Sequence, residues 1–313
     1  MLRKIGYGAA LLLVLAGCTI NPTPPDRYAL VYGVSEYGIY NDLPNTKNDA
    51  TEVANALQSK GYNVYLRITD DIGSTDATKS QFLDDFQNII PTMGKNDILL
   101  IYFSGHGGQI SPGFDSDEDQ FADAYDEAIY FSDGSTDSML TDNELRTLLS
   151  QSDVIKKVVI IDACNSGGFI GQEYDYDALN PEYSSTNETN TGIISNTLQA
   201  FFNPKTGDIP PSSAIVLSAA GEQEVSWESG TYGHGIFTYA LLNAFTDSDN
   251  NRDGYIDTGE LYYYACEFID VFWNYYSESI IASFPSDPPT NEEVEYMPHI
   301  SGGPVDYILF EAD

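Results

Sequence analysis

Two glycine-rich segments carry the residues best equipped for chemistry: Phe103-Ser104-Gly105-His106-Gly107-Gly108 and Ile160-Ile161-Asp162-Ala163-Cys164-Asn165-Ser166-Gly167. Each follows an apolar run, so each sets one reactive side chain in a turn just past a strand. A thiol must lose its proton to attack a carbonyl, and a nearby imidazole can hold that proton and deliver it to a leaving amine. Glycines let the backbone turn sharply and bring its amide hydrogens close to a ligand. The amides of Gly107 and Cys164 are therefore the candidates to stabilise a tetrahedral oxyanion. Cys164 and Cys266 have no spacing that suggests a bridge or a metal knuckle. Cys266, among aromatics in the helix-like run 261–273, is expected to be a buried small hydrophobe.

The elements that must position these turns follow from periodicity. Apolar segments at 28–34, 63–68, 97–103 and 158–161 predict the main strands, the first nearly continuous as in a strand covered on both faces. Helices are expected at 49–60, ended by Gly61, and at 79–90 and 142–150, with a short strand at 127–131. A further strand at 214–219 and a helix at 236–245 follow. The alternation implies βαβ units, hence an α/β fold with a mostly parallel sheet and helices on both faces. Working residues then gather beyond the carboxyl ends of the strands. His106 lies just past one apolar strand and Cys164 just past the next. Residues 172–211 are polar and predict an exposed connector.

The 313 residues are 42% hydrophobic, enough for a sizeable core. Thirteen Lys and Arg stand against 48 Asp and Glu, a formal charge of −35. Such a surface repels phosphate backbones, so nucleic acid is not an expected partner; cations, basic peptides and metals are. At the N-terminus, Arg3 and Lys4 precede an apolar run at 11–15 and then Leu15-Ala16-Gly17-Cys18. The run is too short to span a bilayer as a helix and has the layout of a secretory signal. The small residues before Cys18 resemble a bacterial lipobox, which implies removal of residues 1–17 and a diacylglyceryl group on the Cys18 sulfur. Residues 18–27, with Pro22, Pro24 and Pro25, then form an extended tether to a membrane. The expected location is that of an exported lipoprotein facing the periplasm or exterior. Thr19 rather than Asp follows the cysteine, which points to the outer membrane in a Gram-negative cell.

Together the His106 and Cys164 segments resemble the caspase superfamily, and metacaspases especially, whose histidine sits in Ser-Gly-His-Gly and whose cysteine sits in Asp-Ala/Ser-Cys-x-Ser-Gly. Asn48-Asp49-Ala50, Asp126-Glu127-Ala128-Ile129 and Gly235-Ile236-Phe237-Thr238-Tyr239 extend the likeness from about residue 28 to 245. The resemblance implies a caspase-like three-layer sandwich and a cysteine endopeptidase with protein or peptide substrates. Caspases precede the cysteine with Gln-Ala and bind Asp through Arg; here Asp162 stands two residues before Cys164. By resemblance to metacaspases, Asp162 and Asp49 line the first pocket and select Arg or Lys on the acyl side of the cut. Two other roles for Asp162 are capping the following turn and orienting His106. If the enzyme matures by cutting its own connector, Lys205 is the one basic residue there.

Asp249, Asn251, Asp253, Tyr255, Asp257 and Glu260 fill positions 1, 3, 5, 7, 9 and 12 of an EF-hand loop, with Gly254 sixth and Ile256 eighth. Helix-like runs on both sides complete the pattern over 246–273, so bound calcium is expected, and residues 274–313 form a closing segment of the same domain. A second acidic stretch, from Asp115 to Glu127, lacks the sixth-position glycine. In metacaspases the corresponding region contributes another calcium site, for which Asp126, Asp142 and Asn143 are the counterparts; a solvated acidic loop is the other reading. Two rival functions remain at this point: a non-catalytic, calcium-binding surface interaction protein, and a thiol-dependent peptide ligase.

Overall fold

The structure, a computed structural model, describes residues 24–69, 76–110, 126–164, 166–169, 209, 213–221, 224–284, 289–301 and 307–312. Strand β1 (Arg27–Val34) leads through helix α1 (Thr46–Ser59) to β2 (Asn63–Thr69), and α2 (Lys79–Ile89) leads to β3 (Ile98–Ser104). A small antiparallel sheet follows: β4 (Gly107–Ile110), β5 (Asp126–Ser132) and β6 (Asp137–Thr141). Helix α3 (Asp142–Ser150) then returns the chain to β7 (Lys156–Asp162), and β8 (Ile215–Ser218) lies next to it. The hairpin of β9 (Glu228–Ser229) and β10 (His234–Gly235) precedes helix α4 (Ile236–Asp247). After β11 (Tyr255–Asp257), helix α5 (Thr258–Phe272) and the short helices α6 (Ser277–Ile281) and α7 (Asn291–Val294), the chain ends with β12 (His299–Ile300) and β13 (Ile308–Glu311).

The main sheet has the order β12-β8-β7-β3-β1-β2 and is parallel except at its β12 edge. Burial on both faces accounts for the apolar runs. Ala29, Val31, Leu100, Tyr102, Val158, Ile160, Ile215 and Leu217 face one core, with α1, α4 and α5. Their neighbours in sequence, Leu30, Tyr32, Leu99, Ile101, Val159, Ile161 and Val216, face the other, with α2 and α3. The period of two in a strand makes one apolar run serve two layers. This is the three-layer α/β sandwich expected from the sequence.

Two elements depart from expectation. Helix α1 begins at Thr46, three residues early, so Asp49 sits in its first turn; its N-cap Asn45 makes no side-chain capping bond and left no signature to read. The segment after His106 does not stay a turn: Gly107–Ile110 pairs antiparallel with β5, Gly107 opposite Ile129. Among the described residues no helix is long and apolar enough to cross a membrane.

The closing segment is built into the same body. β12 pairs with β8, and β13 pairs with β11, setting Phe310 opposite Ile256. Phe310 is fully buried, edge-on to Phe245 at 5.3 Å. Phe310→Ala should therefore cost about 3–5 kcal/mol, read as a lower urea midpoint at unchanged slope. A loss below about 1 kcal/mol, the size expected of an exposed site, would show that this strand is not integral to the fold.

Candidate active site

The parallel pairing of β3 with β7 sets Ser104 opposite Asp162. His106 and Cys164 each lie two residues beyond that pair, so one register brings both turns to the same level. The turns touch through their backbones. Gly105 N–H donates to the Asp162 carbonyl at 3.2 Å, and a Cβ on Gly107 would collide with the Cys164 carbonyl oxygen. Glycine at 107 is thus a condition of the approach.

His106 is held from the loop after β1. Its N–H donates to the Tyr37 hydroxyl at 2.8 Å, and that hydroxyl donates to the Tyr130 carbonyl at 3.2 Å. The Tyr37 and Tyr40 rings lie 4.6 and 5.4 Å from the imidazole. The Nε2 atom is 2.8 Å from the Asn41 carbonyl oxygen. A carbonyl only accepts, so in the neutral ring Nε2 carries the proton and Nδ1 is the basic atom. The Cys164 thiol is directed at the Ser226 carbonyl, 3.8 Å away. Burial raises the thiol's pKa, the Ser226 contact opposes that, and the Asp162 charge adds to it. This setting favours the neutral thiol over the thiolate.

His106 and Cys164 line one cleft with Asp49, Asp162, Ser104, Ser226 and Glu228. Asp162 Oδ1 accepts from Ser226 Oγ at 2.6 Å; Oδ2 accepts from the Thr238 hydroxyl at 2.6 Å and amide at 3.1 Å. No described bond links its carboxylate to His106. Asp49, fully buried, accepts from Ser104 Oγ at 2.9 Å, from the Gly235 amide and from His234 Nδ1 at 2.8 Å. Burial raises the pKa of Asp49 while the His234 bond opposes the rise, and that same bond raises His234. The bond to Asp49 thus favours a protonated His234.

Glu228 completes the cleft with its Oε1 buried and lacking a hydrogen-bond partner among the described residues. Burial, then Asp49 and Asp162, push its pKa up to about 7; burial and Asp49 push Asp162 up to about 6. Glu228, Ser226 and His234 were not singled out from the sequence. His234 immediately precedes the Gly235–Tyr239 motif, a signal that was available; Glu228 and Ser226 reach the site through long-range folding and carry no local pattern.

The loop 249–260 is already curled around its acidic side chains. Asp253 N–H donates to Asp249 and Asn251 at 3.1 and 2.8 Å, Gly254 N–H to Asp249 at 3.2 Å, and Tyr255 N–H to Asp253 at 2.9 Å. Glu260 receives the Asn251 and Asp257 amides at 3.3 and 3.2 Å, while Asp257 caps α5 through the Glu260 amide. Gly254 has φ +85°, a left-handed turn that suits glycine. The donor set is oxygen alone, with Asp257 and Asp249 close enough to add to the raised pKa that burial gives Glu260. That chemistry fits a hard divalent cation. Among the described residues, however, no three His, Cys, Asp or Glu side chains converge as an assembled metal cluster. Of the second trio, Asp142 and Asn143 open α3 and are buried, with Asn143 N–H on Asp142 Oδ1 at 2.6 Å; Asp126 opens β5. Cys18, Lys205 and the acidic stretch 115–123 lie outside the described residues.

Glu228 yields a prediction independent of turnover. Its ordinary pKa is 4.5 and its folded value is about 7, so between these the folded chain binds more protons than the unfolded one. Stability from this group therefore falls as pH rises through that window. Glu228→Gln should gain thermal stability relative to the parent between pH 5 and pH 8; a difference independent of pH would refute the carboxylate cluster.

The family model for the caspase domain, peptidase family C14, matches residues 26–262, reaching past the sequence resemblance across the loop 249–260. Metacaspase-1 of Candida albicans is 26% identical over 266 residues, covering 72% of this chain and 59% of that protein. Metacaspase-1B of Aspergillus oryzae is 31% identical over 157 residues, covering 48% of this chain and 36% of that protein. The chain thus spans at most about three-fifths of these curated relatives. A solved protein of Geobacter sulfurreducens superposes with a TM-score of 0.52 at 21% identity, covering 78% of this chain and 89% of that one, a likeness of fold. With its two strand-end turns in contact and the family match running across both of them, this chain belongs to the caspase domain family of cysteine peptidases.

Proposed function

We propose that this chain is a cysteine endopeptidase that cuts after Arg or Lys, with Cys164 as nucleophile and His106 as acid and base. The observation that carries this reading is one cleft holding a thiol, an imidazole and three carboxylates. Cys164 Sγ attacks the scissile carbonyl carbon as its proton passes to His106 Nδ1, while the amides of Gly107 and Cys164 receive the oxyanion. His106 then gives the proton to the departing amine. Water, losing a proton to the same nitrogen, hydrolyses the thioester and frees the thiol.

Substrate choice rests on Asp49, Asp162 and Glu228. Close carboxylates repel one another and hold protons, and a guanidinium or ammonium between them relieves both costs. Cys164→Ala and His106→Ala should each lose thiol-dependent cleavage by at least about a thousandfold with the fold intact. Asp162→Ala should fail on Arg and Lys peptides differing only before the cut. Faster turnover of Asp peptides by the parent, or parent-like turnover in Cys164→Ala, would refute the assignment.

In this proposal the oxygens of Asp249, Asn251, Asp253, Tyr255, Asp257 and Glu260 would hold calcium, which would supply positive charge to the acidic loop between α4 and α5. Glu260→Gln should weaken calcium binding by about tenfold or more, since it removes charge from the bidentate twelfth position. Calorimetry giving equal affinity for parent and variant would reject the site. Asp126, Asp142 and Asn143 are proposed as a second site only if a second equivalent of calcium is lost in Asp142→Asn.

Anchoring through a lipid on Cys18, and maturation by cleavage after Lys205, complete the proposal. Mass spectrometry of the membrane-extracted chain tests both. It should find a lipid adduct on Cys18 and, after incubation, a new terminus at Thr206 that disappears in Cys164→Ala and Lys205→Ala. An unmodified Cys18, or a cut after Asp208 instead, would contradict the respective part.

A further inference from the structure

A row of aromatic rings leads away from the pocket wall. Tyr239 of α4 stacks on His234, the partner of Asp49, at 6.1 Å and 29°. Tyr232, from the β9–β10 turn, lies on Tyr239 at 4.5 Å and 19°. Phe268 of α5 meets Tyr239 edge-on at 5.6 Å, and Phe272, one turn on, stacks on Phe268 at 4.6 Å and 24°. The two end rings face solvent, Tyr232 at 38% and Phe272 at 52% exposure. Rings from three separate elements form one row, which the period of a single helix does not produce.

The surroundings decide what such a row suits. Exposed Glu52 lies 3.4 Å from His234 Nε2. Exposed Asp247 and Glu267 act electrostatically on Tyr264, which stacks on Phe268 at 6.4 Å. Against these acids, Arg252 is the only Lys or Arg from residue 206 to the end of the chain. Aromatic faces attract cations, guanidinium above all, and nearby carboxylates strengthen the attraction. An anionic lipid surface would be repelled by the same carboxylates, and a neutral apolar partner would leave them unpaired. An Arg- or Lys-rich chain satisfies rings and carboxylates together, and the net charge of −35 speeds its arrival.

We propose that Tyr232, Tyr239, Phe268 and Phe272 form a docking surface for an Arg/Lys-rich segment of the polypeptide substrate, beyond the residue held in the pocket. The proposal rests on the basic-substrate reading of the cleft and extends it to a second contact. The centroid steps of 4.5, 5.6 and 4.6 Å are a length that about four extended residues can follow.

The test uses the full chain carrying Cys164→Ala, and that chain with Tyr232→Ser and Phe272→Ser, both exposed rings. Fluorescence anisotropy measures binding of an Arg-rich peptide and of Gly/Ser and Asp-rich peptides of equal length. The Arg-rich peptide alone should bind, and the double ring variant should weaken it at least about fivefold, the size of two lost exposed cation–π contacts. In the active chain, the ring variant should raise KM about fivefold for a long substrate with basic flanks and leave a short peptide with a single Arg unchanged. Unchanged Arg-rich binding in the ring variant, or equal loss on short and long substrates, would overturn the docking surface. Failure of the parent to cut the short Arg peptide sinks the pocket reading, while the anisotropy comparison still decides the docking surface.

Discussion

The site depends on one constraint: the in-register, parallel pairing of β3 with β7 that puts Ser104 opposite Asp162. A parallel pair points both carboxyl ends in one direction, so residues equally far beyond the last paired position arrive at one place. His106 and Cys164 are such residues. A slip of one position would send every buried side chain of the strand to the other core. With Leu100, Tyr102, Val158 and Ile160 in one core and Leu99, Ile101, Val159 and Ile161 in the other, the cores themselves enforce the register. The meeting of the His106 and Cys164 turns is a consequence of core packing.

The same ends gather negative charge. Asp162 closes β7, Asp49 arrives from the first turn of α1 and Glu228 from β9, and none is met by a lysine or arginine in the described bonds. His234 partly compensates Asp49. The remaining imbalance lifts Asp162 to about 6 and Glu228 to about 7, after the larger effect of burial. Groups held so far from their ordinary values are characteristic of binding and catalytic sites. The cleft thus concentrates carboxylates that burial and mutual repulsion make harder to ionise.

The sequence made the strands legible because burial on both faces writes an unbroken apolar run, and the two chemical turns legible because glycines flank a rare residue type. The turn at Gly254 was legible because glycine suits its positive φ. The early start of α1 was hidden, since Asn45 makes no side-chain cap. Strand β4 was hidden too, because Gly107–Ile110 has no strand-like composition and is ordered by pairing with β5. Glu228 and Ser226 come from more than 60 positions after Cys164 in sequence, and only the fold brings them to it. Local pattern singled out His106, Cys164, Asp49 and Asp162, which the fold brings to one cleft; Glu228 and Ser226 required tertiary structure, while His234 had a neighbouring motif to mark it.

The most direct test of the account is intact-mass and peptide-level mass spectrometry after incubation with two thiol-reactive peptidyl ketones of equal reactivity, one carrying Arg and one Asp next to the reactive carbon. A site assembled by the β3–β7 register around a carboxylate pocket predicts a single adduct, on Cys164, formed with the Arg reagent and suppressed when the chain is unfolded. Equal labelling by the Asp reagent, or an adduct on the buried Cys266 instead, would contradict it.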